Sequence, residues 1–443
     1  MIMYIKAHKK LCLIFMSIII ILFNILPVSF ADTTPSVYSP SCILMDAKSG
    51  KILFSKKAEE KMYPASTTKV MTAILALEHC QLTDIATVSH NAIFSIPYGY
   101  SIADLKEGEQ LTIEQLLYVL LIPSANDAAF VLAEHIGGSV EQFSDMMNKK
   151  AAELGCKNTH FVNPNGIHDE NHYSTAYDLA LIGQYAMKFD FFRKVVSTTI
   201  YTLPGTAAHP EADRIFGTTN DLIKNSGAAK KYYYQYATGA KTGYTEAAKN
   251  CIIATAQKDD VELIAVVLHD EQTPEGLSTR PIDCKTLFEY GFNNYASQTI
   301  ATAGTVEKTI NVSGASADTR HLNLVLNKDV VGLNPTDYDL SDVVVTIDIN
   351  QDIKAPISKD TVLGKITFNA DGYEYSANLI AANDVKAFDL KKVLLELVAI
   401  IVVLKLFSSV IKSKRKRKKK KSKKRNSSSQ CIHSDFYPTY KIK

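Results

Sequence analysis

The chain has 443 residues, 46% of them hydrophobic and 21% charged, which allows two or three domains with a sizeable core and excludes a wholly disordered chain. Its net charge of +3 hides an asymmetry: residues 1–31 carry three Lys and no acid, and residues 391–443 carry 17 basic and 2 acidic residues. Residues 32–390 hold 29 basic against 44 acidic residues, a net of −15, so nucleic acid is not an expected partner of the main fold.

Residues 1–31 read as a secretory signal peptide. Lys6, Lys9 and Lys10 precede an apolar run over 11–26, and Ser29-Phe30-Ala31 gives a small-x-Ala cleavage pattern. The run spans roughly 24 Å as a helix, short of a bilayer core of about 30 Å, so an uncleaved anchor is the weaker alternative. A polar leader follows. Two short strands are expected at 42–46 and 51–55, joined by a Ser49-Gly50 turn. Helices are expected at 66–79, 113–121, 127–136 and 146–154, from apolar residues at helical spacing. Residues 157–177 read as loop around Asn163-Pro164-Asn165-Gly166, and 176–187 returns to helix. Strands resume around Lys241, at 252–256 and at 261–268, and a helix closes the block at 280–290. Strands, a helical block, then strands and a last helix imply a sheet carrying a helical subdomain.

From about residue 298 the period changes to two, as at Leu322, Leu324 and Leu326. Residues 298–390 therefore read as a small all-β domain. An apolar stretch at 393–411 follows, long enough as a helix (about 28 Å) to span a membrane. Twelve basic residues lie between Lys412 and Arg425, so residues 412–443 form a basic tail that belongs in the cytoplasm by the positive-inside rule. A helix lying on the membrane, with its basic run on anionic headgroups, is the alternative. Either way the fold is tethered to the cytoplasmic membrane.

Of seven cysteines, Cys42, Cys80, Cys156, Cys251 and Cys284 lie in the main fold. They are isolated and odd in number, which does not suggest a disulfide framework. They are expected to be mostly buried small hydrophobes. His160, His168 and His172 fall in loop-like sequence without a completing carboxylate, so packing or loop hydrogen bonding is expected of them. No metal and no cofactor is implied.

Three short motifs carry the chemistry: Ser66-Thr67-Thr68-Lys69, Ser124-Ala125-Asn126 and Lys241-Thr242-Gly243. Each alone is weak; the ordered set is specific to enzymes that acylate an active-site serine. Ser66 and Lys69 share a helix face at this spacing. A serine hydroxyl needs a base, and a lysine becomes one when burial and nearby cations lower its pKa. Ser124 is the expected proton relay to the leaving amine. Asn126 is expected to orient Lys69 and the substrate backbone. Lys241 would place positive charge near the substrate carboxylate and the relay. Gly243 would let substrate approach the backbone. The backbone N–H groups of Ser66 and Tyr244 are the expected oxyanion donors.

The set resembles the D-alanyl-D-alanine carboxypeptidases, the low-molecular-mass penicillin-binding proteins. The likeness extends to Leu44–Lys51, to Tyr63-Pro64-Ala65 before the nucleophile, and to the stretches His160–Gly166 and His172–Ala176. It covers roughly residues 35–390. It implies an α/β penicillin-recognising domain, of β-lactamase/transpeptidase type with a helical subdomain, at 32–297, followed by the small all-β domain. Arg280, eleven residues before Gly291-Phe292, falls where the family has an arginine for the substrate's terminal carboxylate. Thr242 and Tyr244 fall within the substrate-binding strand; some members carry His where this chain has Tyr244. The resemblance implies removal of the terminal D-alanine from peptidoglycan stem peptides through an acyl-enzyme on Ser66, with β-lactams as covalent inhibitors. The alternatives are a D,D-endopeptidase, a β-lactamase, or a non-catalytic penicillin-binding sensor.

Overall fold

The computed structural model describes residues 34–210, 213–273 and 276–427, with side chains to residue 421. The signal peptide expected at 1–31 and the last residues of the tail lie outside them. The chain forms two compact units that divide first at Gln298; short returns at Val331–Val343 and Ala370–Tyr373 belong to the first unit.

The first unit opens with strands β1 (Ser41–Asp46) and β2 (Ile52–Lys56). A single 3-10 turn (Ala65–Thr68) leads into helix α1 (Lys69–His79). Helices α2 (Ile113–Leu121), α3 (Asn126–Gly137), α4 (Val140–Glu153) and α5 (Ala176–Ala186) make up the helical block. Strands β3 (Ala237–Thr245), β4 (Lys249–Lys258) and β5 (Val261–Asp270) follow, then helix α6 (Arg280–Asn294). The sheet has the order β2-β1-β5-β4-β3, with β1 antiparallel to β2 and β5, and β4 antiparallel to β5 and β3.

Every residue of β1 is buried, which explains why its centre, Cys42-Ile43-Leu44-Met45, is a continuous apolar run instead of an alternating one. Cys42 and Leu44 face α6 and pack with Leu263, Leu287 and Phe288. Ile43 and Met45 face the helical block and pack with Val70, Ile74 and Leu179. The sheet is thus a middle layer covered on both faces. Helix α1 threads through the larger of the two cores, with Val70, Met71, Ala73, Ile74 and Ala76 fully buried. Burial of one such side chain contributes about 1.5–3 kcal/mol before chain entropy is charged.

Local sequence sets several helix starts. Thr112 and Gln115 form a reciprocal capping box for α2. Ser139 caps α4 by accepting from the Gln142 N–H, so α4 starts six residues before the expected 146. The expected helix at 66–79 is α-helical only from Lys69.

The second unit contains strands β6 (Val306–Asn311), β7 (His321–Leu326), β8 (Val344–Ile349), β9 (Val362–Ala370) and β10 (Tyr373–Ala381), in the order β6-β7-β10-β9-β8. Leu322, Leu324, Leu326, Ile366 and Leu379 are buried, the inner face of the period-two pattern. Val345 is exposed because β8 is an edge strand. Helix α7 (Leu390–Ser427) contains the apolar stretch 393–411. It is long and apolar enough to cross a membrane.

Candidate active site

The 3-10 turn places Ser66 at the mouth of a cleft of about 510 Å³. Ser124, Thr242, Gly243, Tyr244 and Arg280 line the same cleft. Lys69, Asn126 and Lys241 are buried. All three motifs therefore converge, although 175 positions separate Ser66 from Lys241 in the chain.

Lys69 is fully buried at the first position of α1. Its Nζ lies 2.9 Å from Ser66 Oγ, 2.8 Å from Asn126 Oδ1 and 2.8 Å from the Asn165 carbonyl. Burial, and then the positive charge of Lys241, hold its pKa well below the ordinary lysine value; Asp127 opposes the shift. A neutral amine has two N–H donors and one lone pair. Asn126 Oδ1 and Asn165 O can only accept, so they take the two N–H groups. The Ser66 hydroxyl is the one partner able to donate, and it meets the lone pair. This arrangement can draw the proton from Ser66 without prior rearrangement.

Asn126 is held in that orientation. Its Nδ2 donates to the Ser101 carbonyl at 2.8 Å, and its backbone N–H donates to the same carbonyl at 2.9 Å. The next residue, Asp127, is buried and accepts from the backbone N–H groups of Ala103 and Leu105. Burial raises its pKa while those hydrogen bonds pull the other way. Together these contacts fix Ser101 and the backbone after it to Leu105; Ser101 lines the cleft with Tyr98 and Tyr100.

Lys241 is also fully buried, and its Nζ donates to the Thr242 carbonyl at 2.8 Å. Burial, and then Arg280, pull its pKa down to about 7. Thr242 Oγ1 is 2.5 Å from Thr219 Oγ1. Tyr244 is exposed and its hydroxyl donates to Glu246 at 2.8 Å, so its side chain turns toward that carboxylate.

Gly243 has a reason the sequence did not suggest. A Cβ there would meet Ser66 N at 2.8 Å, Ala65 Cβ at 3.0 Å and Pro64 O at 3.1 Å. The missing side chain admits the nucleophile turn against β3. Gly166 does the same from the other side: its φ is +82°, and a Cβ would overlap the Ala65 carbonyl. The Asn163–Gly166 loop is thereby pressed onto the turn. Thr72 Oγ1 donates to Pro164 O at 2.5 Å, and the Gly166 N–H donates to Asn163 Oδ1 at 2.7 Å. Ala65 and Ser124 themselves hold left-handed backbone, at φ +48° and +67°. Such conformations are uncommon for residues with a Cβ and cluster at functional sites.

His172 braces this turn. The Val162 N–H donates to its Nδ1 at 3.1 Å, so Nε2 carries the proton and donates to Thr68 Oγ1 at 2.8 Å. Burial lowers its pKa to about 3, and the ring is neutral. Loop hydrogen bonding, expected for this histidine, is what the structure shows. Among the described residues, no group of three or more His, Cys, Asp or Glu is arranged to hold a metal ion. All five cysteines of the main fold are free; Cys42, Cys251 and Cys284 are buried, and Cys80 and Cys156 partly so.

Tyr98, Tyr100, Ser101, Thr219 and Asn250 line the cleft but carried no motif signal.

A family model described as D-alanyl-D-alanine carboxypeptidase matches residues 28–272. The chain belongs to the D-alanyl-D-alanine carboxypeptidase family. A second model, the C-terminal domain of penicillin-binding protein 5, matches residues 295–387. The chain is 32% identical over 359 residues to D-alanyl-D-alanine carboxypeptidase DacF of Bacillus subtilis, covering 80% of this chain and 86% of that protein. It is 28% identical to DacA of Haemophilus influenzae, covering 80% and 87%. Among solved structures, penicillin binding protein 5 from Haemophilus influenzae aligns with a TM-score of 0.64 at 28% identity, covering 80% of this chain and 99% of that one. The Streptomyces K15 DD-transpeptidase aligns with a TM-score of 0.53 at 32% identity, covering 59% and 99%. The penicillin-recognising fold and the all-β domain expected from sequence are thus those of the family.

Proposed function

We propose that this protein is a serine D-Ala-D-Ala carboxypeptidase acting on peptidoglycan stem peptides. The observation that carries the reading is Lys69, a fully buried amine whose Nζ lies 2.9 Å from Ser66 Oγ and whose other two partners, Asn126 Oδ1 and the Asn165 carbonyl, can only accept. Ser66 Oγ attacks the carbonyl carbon of the penultimate D-alanine as Lys69 takes its proton. The Ser66 and Tyr244 N–H groups hold the oxyanion; Ser66 lies in a first helical turn, where N–H groups lack an intrahelical acceptor. Collapse of the tetrahedral intermediate expels D-alanine. Ser124 relays a proton to its nitrogen, with Lys241 holding positive charge beside the relay. Water then cleaves the ester and Ser66 recovers its proton. Arg280 and Thr242 bind the terminal carboxylate, for which a guanidinium is well shaped. Asn126 holds Lys69 and the peptide backbone. β-Lactams enter the same path and stop at the acyl-enzyme.

The protein is exported by its N-terminal signal and anchored by α7, with the basic run in the cytoplasm and the first unit outside. The apolar length of α7 and the twelve basic residues beyond it support this orientation.

The test is mass spectrometry of pentapeptide muropeptides incubated with the full-length protein in detergent. The expected product has lost one alanine, and Ser66→Ala abolishes both that loss and covalent penicillin labelling while the fold persists. Splitting of cross-linked dimers without alanine loss would make it an endopeptidase. Penicillin labelling with no turnover of either substrate would make it a sensor.

A further inference from the structure

Strand β5 ends abnormally. His269 holds left-handed backbone at φ +54°, and the pairing of β4 with β5 shifts between Asn250 and Ile252, so that Asn250 lies opposite Asp270. Such a bulge re-aims a side chain, and bulges are over-represented beside active sites. Here it turns Asp270 inward, where its residue is fully buried. A buried carboxylate is costly unless it is paired. Burial pushes this one up to about 6.

The surroundings of Asp270 say what it holds. Thr279 Oγ1 donates to its Oδ1, the one side-chain hydrogen bond this carboxylate makes among the described residues. Thr279 Oγ1 also contacts the Glu271 carbonyl. Thr279 and Arg280 are the residue before α6 and its first residue. Thr279 lends α6 no side-chain cap of its own, so Asp270 supplies the carboxylate that favours a helix N-terminus. The Asp270 carbonyl accepts from Asn250 Nδ2 at 3.1 Å, and Asn250 lines the cleft opposite Tyr244 in the ladder. The other charged groups facing Asp270 are Asp283 on α6, which raises its pKa, and the Arg280 guanidinium, which lowers it. Among the described residues the guanidinium's ion pair is with Asp221, at 3.8 Å, too long to fix its position. The link from Thr279 to Asp270 is the firmer of the two.

We infer that Asp270 is a positioning residue for the reaction: through Thr279, the residue before Arg280, it sets where the Arg280 guanidinium stands in the cleft, and so how tightly a carboxylate-ended substrate is held. The inference rests on the proposed role of Arg280 as the carboxylate binder. Asp270 itself does not touch substrate.

The experiment compares steady-state kinetics of full-length wild type, Arg280→Ala, Asp270→Ala and Asp270→Asn. The substrates are a peptide ending in D-Ala-D-Ala with a free carboxylate and the same peptide with a C-terminal amide. Asp270→Ala is expected to raise KM for the free carboxylate about tenfold, or about 1.4 kcal/mol. It should change kcat far less and leave amide hydrolysis near wild type. Asp270→Asn should recover most of the loss, because its Oδ1 can take the same hydrogen bond. Thr279→Val removes the same link and carries the test if Asp270→Ala does not fold. If Arg280→Ala loses the preference for the free carboxylate while Asp270→Ala and Thr279→Val keep it, the inference fails and the role of Arg280 stands. If Arg280→Ala itself keeps the preference, the proposed role of Arg280 fails. Equal losses on both substrates would make Asp270 merely structural.

Discussion

Gly243→Ala tests how closely the nucleophile turn must sit against β3. The new Cβ would lie 2.8 Å from Ser66 N, about 0.6 Å inside the 3.4 Å at which ordinary contact begins. Two further atoms, Ala65 Cβ at 3.0 Å and Pro64 O at 3.1 Å, crowd it from the same side. None of the three is the tip of a flexible side chain, so backbone must move. Either Ser66 withdraws from the cleft or β3 withdraws from Ser66, and both separate the nucleophile from the Tyr244 N–H. Overpacking of this kind costs about 1–3 kcal/mol. Melting should fall by about 2–4 °C for each kcal/mol lost. The effect on chemistry should be larger, because a misplacement near 1 Å can lower a rate about 100-fold. Acylation by a fluorescent penicillin should slow by a factor between about 10 and about 100. Stopped-flow acylation and a thermal melt on the same preparation measure both. Wild-type acylation together with an unchanged melting temperature would refute the close-packing account.

Asn126→Asp places an anion 2.8 Å from Lys69 Nζ, which favours the ammonium and raises the lysine pKa; the acid limb of the acylation profile should move to higher pH. An unmoved limb would mean that Lys69 is not the group whose deprotonation gates acylation. His172 is depressed to about 3 in the fold against an ordinary 6.5, so between those values the unfolded chain binds a proton that the native site does not. Its contribution to stability is present above about pH 6.5 and lost as pH falls toward 3, at about 1.4 kcal/mol per pH unit. Urea midpoints measured from pH 7 to pH 4 should decline, and His172→Gln should flatten the decline; an identical slope in that variant would refute it.

The chemistry of this chain was legible because motif residues must keep their types, whatever the distance between them along the chain. Ser66, Lys69, Ser124 and Lys241 could be named as candidates from three motifs in order, and the fold brings those motifs to one cleft. The period-two pattern at Leu322–Leu326 and the apolar runs of β1, β4 and β5 also declared themselves, since burial on one face or on two leaves different signatures. What stayed hidden depends on tertiary contact. Tyr98–Ser101 and Thr219 reach the cleft from segments with no pattern of their own. Helix α4 began early because Ser139 caps a polar turn, where hydrophobic spacing is silent. Gly243 and Gly166 were visible as glycines, but the turn that occupies their missing side chains is brought there only by the fold.

Strand β3 is the last strand of its sheet, with β4 on one side and the cleft on the other. An open strand edge is ordinarily a hazard, since its free N–H and C=O groups invite another chain to join. At the mouth of this cleft the invitation is selective by place. An extended peptide that accepts it is read by its main chain before its side chains. Recognition of that sort tolerates variety: stem peptides of differing composition present the same backbone. It also admits impostors, because any small rigid amide that mimics one peptide unit needs none of the rest.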